Sequence, residues 1–243
     1  MRNQPPDQLP HHATGTPLLK VCGATGRADV SALASGGADL VGLWHGVAGG
    51  HAELDRARLV ELAAATEAAG RTPVLVTFDG DAAAVAGTML DAGIGIVQLH
   101  GYQPPSVVRA IKAAVDGATV VKVLHVAGSE CQEERLLRSY RRAGTDVFLL
   151  DAVGPRGEVG STGRELEPAV ARAVADAAMA PFLLAGGISA DNAERFAAVR
   201  AHPGFLGVDV DSAARDTAGR FAPARVAAIR RAWDRRTRWE VAA

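Results

Sequence analysis

The chain has 243 residues, with 26 basic and 27 acidic side chains, a formal net charge of -1 and 48% apolar residues. That balance excludes the broad basic surface of a nucleic-acid binder and the basic face of a membrane-surface protein, while the length suits one α/β barrel or two small domains. Two cysteines, Cys22 and Cys131, form neither a metal pattern nor a disulfide framework, and no apolar run reaches the length of a membrane span.

Residues 1–16 are rich in Pro, Gln, His and Asp and have no apolar core. They predict a disordered leader and no secretory signal, which makes the cytoplasm the expected location. From there short apolar runs alternate with Ala-, Leu-, Glu- and Arg-rich stretches. The predicted strands are Leu18–Cys22, Leu40–Trp44, Pro73–Phe78, Ile96–Leu99, Val120–Val126, Val147–Asp151, Phe182–Ala185 and Leu206–Val210. They do not alternate in polarity, as expected of strands buried on both faces. The predicted helices are Ala28–Ser35, Leu54–Ala69, Asp81–Ala92, Pro104–Val115, Glu130–Ala143, Glu165–Ala178, Ala190–Val199 and Pro223–Trp233. Eight such alternations predict a single-domain (β/α)8 TIM barrel over residues 17–234, with a tail at 235–243. The rival is a doubly wound open sheet, which usually carries a G-x-G-x-x-G after its first strand; Cys22-Gly23-Ala24-Thr25-Gly26 is not one.

In a barrel the chemistry gathers where strands end. Those positions hold Cys22, Trp44-His45, Phe78-Asp79, His100, His125, Asp151, Gly186-Gly187, and Asp209 with Asp211. Cys22 taken alone reads as readily as a small buried hydrophobe, and Asp151 as a turn cap. Brought together across a barrel mouth, a thiolate base and a carboxylic acid can move a proton between carbon and oxygen of a sugar. Gly186-Gly187 runs from a strand into a helix start and offers bare N–H groups to an anion. Gly160-Ser161-Thr162-Gly163 is a donor-rich loop able to close over a phosphate, or a plain surface loop.

The order of Lys20-Val21-Cys22-Gly23, Val97-Gln98-Leu99-His100-Gly101, Leu149-Leu150-Asp151, Gly160-Ser161-Thr162-Gly163, Ala185-Gly186-Gly187 and Gly207-Val208-Asp209-Val210 resembles the phosphoribosylanthranilate isomerase family, the barrel enzymes of tryptophan biosynthesis. The resemblance runs from about Leu18 to about Trp233. It implies an Amadori rearrangement of an N-phosphoribosyl aryl amine to a 1-amino-1-deoxyribulose phosphate. Asp151 would protonate the ring oxygen, Cys22 would take the C2 proton, and Asp209 would help hold the substrate, with His100 beside it. No metal or organic cofactor is implied, because the imine is its own electron sink. A phosphorylated sugar is the implied partner, and a monomer or homodimer the expected assembly.

Three departures stand out, one of them Thr77-Phe78-Asp79-Gly80, where the family more often has a Phe-Val-Asn-type strand end. After the second strand the family usually carries a Ser-Pro-Arg-type loop whose Arg faces the anthranilate carboxylate. Here Leu43-Trp44-His45-Gly46-Val47-Ala48-Gly49-Gly50-His51-Ala52-Glu53 has no Arg. His45 and His51 are the candidate replacements, and Arg156 is a possible cation from elsewhere. After the last strand the family usually reads V-D-V-S-S-G; here it is Val208-Asp209-Val210-Asp211-Ser212-Ala213-Ala214-Arg215. The expected phosphate contacts are Gly163, Gly186, Gly187, Asp211, Ser212 and Arg215. Asp211 is expected to weaken phosphate binding unless Arg215 compensates. The loss of a bidentate partner predicts poor turnover of the anthranilate substrate and an aryl or acyl group of different charge or shape. Three functions therefore stand: the housekeeping isomerase, a relative acting on another ribosylated amine or arene in a specialised pathway, and a non-catalytic ligand-binding barrel.

Overall fold

The computed structural model describes residues 9–10, 15–154 and 164–234. Among them are nine strands: β1 Leu18–Cys22, β2 Leu40–Trp44, β3 Thr72–Thr77, β4 Ile96–Leu99, β5 Thr119–Ala127, β6 Glu130–Cys131, β7 Val147–Ala152, β8 Phe182–Leu184 and β9 Phe205–Val210. Eight pair in parallel in the order β4-β3-β2-β1-β9-β8-β7-β5, and a β4–β5 pairing closes the cylinder. The expected (β/α)8 barrel is the fold. Helices α1 Arg27–Gly36, α2 Arg56–Ala68, α3 Ala82–Ala92, α4 Pro105–Ala114, α5 Leu137–Ala143, α6 Pro168–Ala178, α7 Ala197–Arg200 and α8 Pro223–Trp233 surround it.

Period-two alternation divides each strand between two cores. Leu18, Cys22, Leu40, Trp44, Val74, Val76, Val121, Val123, Leu149 and Leu183 form the inner cluster. Their neighbours Leu19, Val21, Val41, Leu43, Leu75, Val120, Leu124, Phe148 and Leu184 pack outward against the helices. Both faces are buried, which is why the strands carry no polar alternation in sequence. Leu9, within the segment expected as a leader, is 2% exposed and joins the inner cluster.

Local chemistry sets the helix boundaries. Asp55 and Asp81 cap α2 and α3 by accepting from the backbone N–H groups of Arg58 and of Ala83 and Ala84. Helix α8 is fastened to the start of the barrel by Arg230, which donates to the carbonyls of Pro17 and Gly37 and to the Asp39 carboxylate. Asp39 in turn accepts from the Leu19 N–H at 2.8 Å.

Two predicted helices keep no more than half of their expected length as α-helix. The stretch 130–143 opens as a hairpin arm: Gly128, at φ +62°, turns the chain so that β6 pairs antiparallel with the end of β5. A 3-10 turn at Glu134–Leu136 follows, and the α-helix starts only at Leu137. Glu133 is the cause, since its buried carboxylate accepts from the His125 backbone N–H at 2.8 Å. The stretch 190–199 likewise becomes a 3-10 turn, Ala193–Phe196, before the short α7. There Asn192 ties the loop by accepting from Ser189 N and donating to the Gly187 carbonyl.

Candidate active site

Strand β1 carries Lys20 and Cys22 two residues apart, so both face the barrel interior. Lys20 Nζ donates to Cys22 Sγ at 2.6 Å and to Asp209 Oδ2 on β9 at 2.9 Å, and Cys22 Sγ lies 3.8 Å from the same oxygen. All three are buried: 1%, 7% and 7% exposed. The space exists because the facing β2 residue is Gly42; a Cβ there would lie 2.5 Å from Cys22 Sγ and 3.2 Å from Lys20 Nζ. Burial, then the Asp209 charge, push the Cys22 thiol up to about 12, against the pull of Lys20. Burial also raises the Asp209 carboxyl, although Lys20 opposes it. Burial alone would lower Lys20, but Asp209 and Cys22 more than offset it and hold the ammonium charged.

Across the mouth, Asp151 is the penultimate residue of β7 and its Oδ2 lies 3.3 Å from His100 Nε2, close but not aligned as a hydrogen bond. The Gln98 amide on β4 meets Nδ1 of His100, the residue just past that strand, at 2.8 Å, leaving Nε2 to face the carboxylate. The His100 backbone is fixed from β5: His125 Nε2 donates to its carbonyl at 2.9 Å and Lys122 Nζ to the Gly101 carbonyl at 2.8 Å. His125 Nδ1 meets Glu133 Oε1 at 2.5 Å, so both ring nitrogens face acceptors.

Cys22, Asp151, His100, Asp209, Trp44, Gly186, Gly187, Asp211 and Ser212 line one narrow pocket of ≈ 60 Å³. Three buried polar atoms on its wall, Trp44 Nε1, His100 Nε2 and Asp209 Oδ1, have no hydrogen-bond partner among the described residues. Buried polar atoms are seldom left so, and a cluster of them at one pocket marks where a ligand completes the set. Trp44 and His100 also border a wider cleft of ≈ 840 Å³, walled by Phe78, Val47, Ala48, His51, Glu53 and Asp79. Its floor is aromatic: His100 stacks on Phe78 with ring centroids 5.1 Å apart, and His51 packs edge-on to Trp44 at 4.8 Å. No Lys or Arg lines the cleft among the described residues.

The structure sorts the residues singled out from the sequence. Cys22, Asp151, His100, Asp209, Gly186, Gly187, Asp211 and Ser212 come together, and His51 stands at the rim. His45 does not line either cavity: it follows Trp44 on the opposite face, and its Nδ1 meets the Leu54 carbonyl at 2.8 Å. Glu53 closes that loop by accepting from Gly46 N and Val47 N. Arg215 lies behind the pocket. Its Nε donates to Asp211 Oδ1 at 2.7 Å across one turn, its other nitrogens to the Gly219 and Gly23 carbonyls, and its guanidinium sits 3.8 Å over the Phe221 ring. Asp211 Oδ2 also lies 3.4 Å from His51 Nε2. Gly187, at φ +64°, is packed so closely that a Cβ would stand 2.7 Å from Glu165 N. Arg156 and Gly163 lie outside the described residues. Lys20, Gln98 and Gly42 were not singled out. A lone Lys in an apolar strand, two residues from the candidate Cys, was the available signal.

The family model for N-(5'-phosphoribosyl)anthranilate isomerase matches residues 19–222. A relative of that name from Cereibacter sphaeroides is 32% identical over 212 residues, covering 87% of this chain and 95% of its own. One from Methanocella arvoryzae is 32% identical over 194 residues, covering 75% and 83%. Among solved structures, phosphoribosyl anthranilate isomerase from Thermus thermophilus superposes with a TM-score of 0.71 at 23% identity, covering 88% of this chain and 97% of that one. A phosphoribosyl anthranilate isomerase in complex with reduced 1-(o-carboxyphenylamino)-1-deoxyribulose 5-phosphate gives 0.69 at 20% identity, covering 88% and 97%.

Proposed function

The chain belongs to the N-(5'-phosphoribosyl)anthranilate isomerase family, and from that premise we propose how its residues carry out the Amadori rearrangement of an N-phosphoribosyl aryl amine. Asp151 donates its proton to the furanose ring oxygen, the C1–O bond breaks and the nitrogen lone pair forms the C1=N imine. Cys22, as the thiolate, takes the C2 proton, and the electron pair of the C2–H bond moves into C1–C2. The resulting enolamine then tautomerises to the ketose. The nitrogen cation is the electron sink.

The observation that carries this reading is the shared pocket: Cys22 and Asp151 line it together with those three buried polar atoms. His100 Nε2 stands 3.3 Å from the Asp151 carboxyl group at the same wall. We assign the phosphate to the end bounded by Gly186, Gly187 and Ser212, and the aryl group to the wider cleft over Trp44 and Phe78. The anthranilate amine is the first substrate to assay, and the aromatic cleft suits other aryl amines of similar size. No helix of the described residues is long and apolar enough to cross a membrane. We place the enzyme in the cytoplasm, as a monomer or homodimer.

The test is conversion of N-(5'-phosphoribosyl)anthranilate followed by NMR for the wild type and for Cys22→Ser and Asp151→Asn. A positioned acid or base is worth about 10²- to 10⁴-fold, so each variant is expected to lose at least two decades. Unchanged turnover in either removes that residue from the chemistry.

A further inference from the structure

A base that must be a thiolate sits in this pocket beside a carboxylate that disfavours the thiolate. We infer that Lys20, Cys22 and Asp209 share one mobile proton: Asp209 accepts it from the thiol to make Cys22 a base, and returns it to Asp151 after the C2 proton has been taken. This rests on the isomerase reading above and deepens it, giving Asp209, beside its place on the pocket wall, the role of a proton store.

The geometry carries the inference. Lys20 Nζ bridges Sγ at 2.6 Å and Asp209 Oδ2 at 2.9 Å, and Sγ lies 3.8 Å from Oδ2. The other Asp209 oxygen, Oδ1, is buried and has no hydrogen-bond partner among the described residues. Among the described residues, the other titratable groups that face the cluster are Asp211, paired with Arg215 and 3.4 Å from His51, and Asp151 with His100 across the pocket.

Charge counting explains why such a store is useful. At rest the cluster holds an ammonium, a thiol and a carboxylate, with net charge zero. Moving one proton from Sγ to Oδ2 gives an ammonium, a thiolate and a carboxylic acid, again with net charge zero. The transfer runs directly or through Lys20, whose ammonium gives a proton to Oδ2 as it takes one from Sγ; the balance is the same. Releasing the thiol proton to solvent would instead leave an unpaired negative charge in the barrel interior, which is costly. The high thiol value, about 12, agrees with that cost.

The cycle balances. Asp151 loses a proton to the ring oxygen, and the C2–H bond breaks as the S–H bond forms. The cluster then holds one proton too many and Asp151 one too few. Transfer from Asp209 to Asp151, which line the same pocket, restores both without exchange with solvent.

The experiment uses full-length protein carrying Cys131→Ser, so that Cys22 is the only thiol. Thiolate absorbance near 240 nm is titrated in that protein and with Asp209→Asn added, and kcat and kcat/KM are measured from pH 6 to 9. The parent is expected to stay a thiol through this range and to show flat kcat/KM. Asp209→Asn is expected to ionise at least 100-fold more readily, to lose at least tenfold in kcat and to acquire a pH dependence that tracks the thiolate signal. An unshifted thiol titration in Asp209→Asn overturns the inference, as does a tenfold rise per pH unit in the parent's kcat/KM. If Asp209→Asn does not fold, Lys20→Gln with Asp209→Asn removes both charges together. That pair is expected to keep its thiol protonated and lose at least 100-fold in kcat, and retained activity would overturn the proton store. The titration needs no substrate, so an absence of turnover in the parent counts against the isomerase reading alone.

Discussion

Replacing Asp79 with Asn probes the electrostatics of the aryl cleft without disturbing its shape. Asp79 borders the cleft, and its Oδ1 accepts from Asp81 N at 2.8 Å, a bond that an Asn side-chain oxygen retains. Only the charge is removed. A cleft of ≈ 840 Å³ has the volume of a sphere of roughly 6 Å radius, and two unit charges that far apart interact by about 0.7 kcal/mol in water and roughly 2.8 kcal/mol at an effective dielectric near 20. For a substrate carboxylate held in the cleft, that repulsion corresponds to about 3- to 100-fold in binding. Salt screens the interaction toward the lower figure. Steady-state kinetics on N-(5'-phosphoribosyl)anthranilate and on the aniline analogue, which lacks the carboxylate, separate charge from shape. Asp79→Asn is expected to raise kcat/KM for the first by about 3-fold or more and to leave the second unchanged. An equal change in both, or a gain for the aniline analogue alone, refutes the placement of the carboxylate near Asp79.

Asp211→Ser is expected to release Arg215 Nε, now 2.7 Å from Asp211 Oδ1, and to tighten binding of ribose 5-phosphate in a titration; no gain would show that the ion pair already lies outside the phosphate's reach. Lys122→Met is expected to remove a pH dependence of stability. Burial holds the Lys122 ammonium down at about 8, so between about 8 and 10.5 the unfolded chain binds more protons and stability rises with pH, by at most about 3 kcal/mol. Urea unfolding at pH 7.5 and 9 should show that rise in the wild type relative to Lys122→Met, and parallel curves would contradict it. Iodoacetamide labelling of Cys22 in the free enzyme is expected to be on the order of 10³-fold slower at pH 8 than for an unperturbed thiol, since only the thiolate reacts; labelling at the ordinary rate would show the thiol is not held up.

The barrel was legible in the sequence because its strands are short, apolar and regularly spaced, and because Cys22, His100, Asp151 and Asp209 all fall where strands end. What stayed hidden has physical causes. The β5–β6 arm depends on a two-residue turn at Gly128 and on one buried carboxylate, Glu133, neither of which disturbs a helix-like composition. The late start of α7 depends on the Asn192 side chain, whose partners are set by the folded loop. In the sequence Lys20 figures only as a member of the Lys20-Val21-Cys22-Gly23 motif, with no role of its own. Its spacing from Cys22 places it on the inner face, and only a facing carboxylate, Asp209, makes that burial tolerable. His45 was overvalued for the opposite reason: next to an inward Trp44, the strand's alternation turns it away.

The most direct measurement is formation of the ketose from N-(5'-phosphoribosyl)anthranilate by purified protein, followed by NMR beside Cys22→Ser and Asp151→Asn. The expected result is product formed by the wild type well above the spontaneous rate, with each variant at least 10²-fold slower. Wild-type turnover no faster than the uncatalysed reaction, or variants as fast as the wild type, would contradict the assignment of this pocket to the rearrangement.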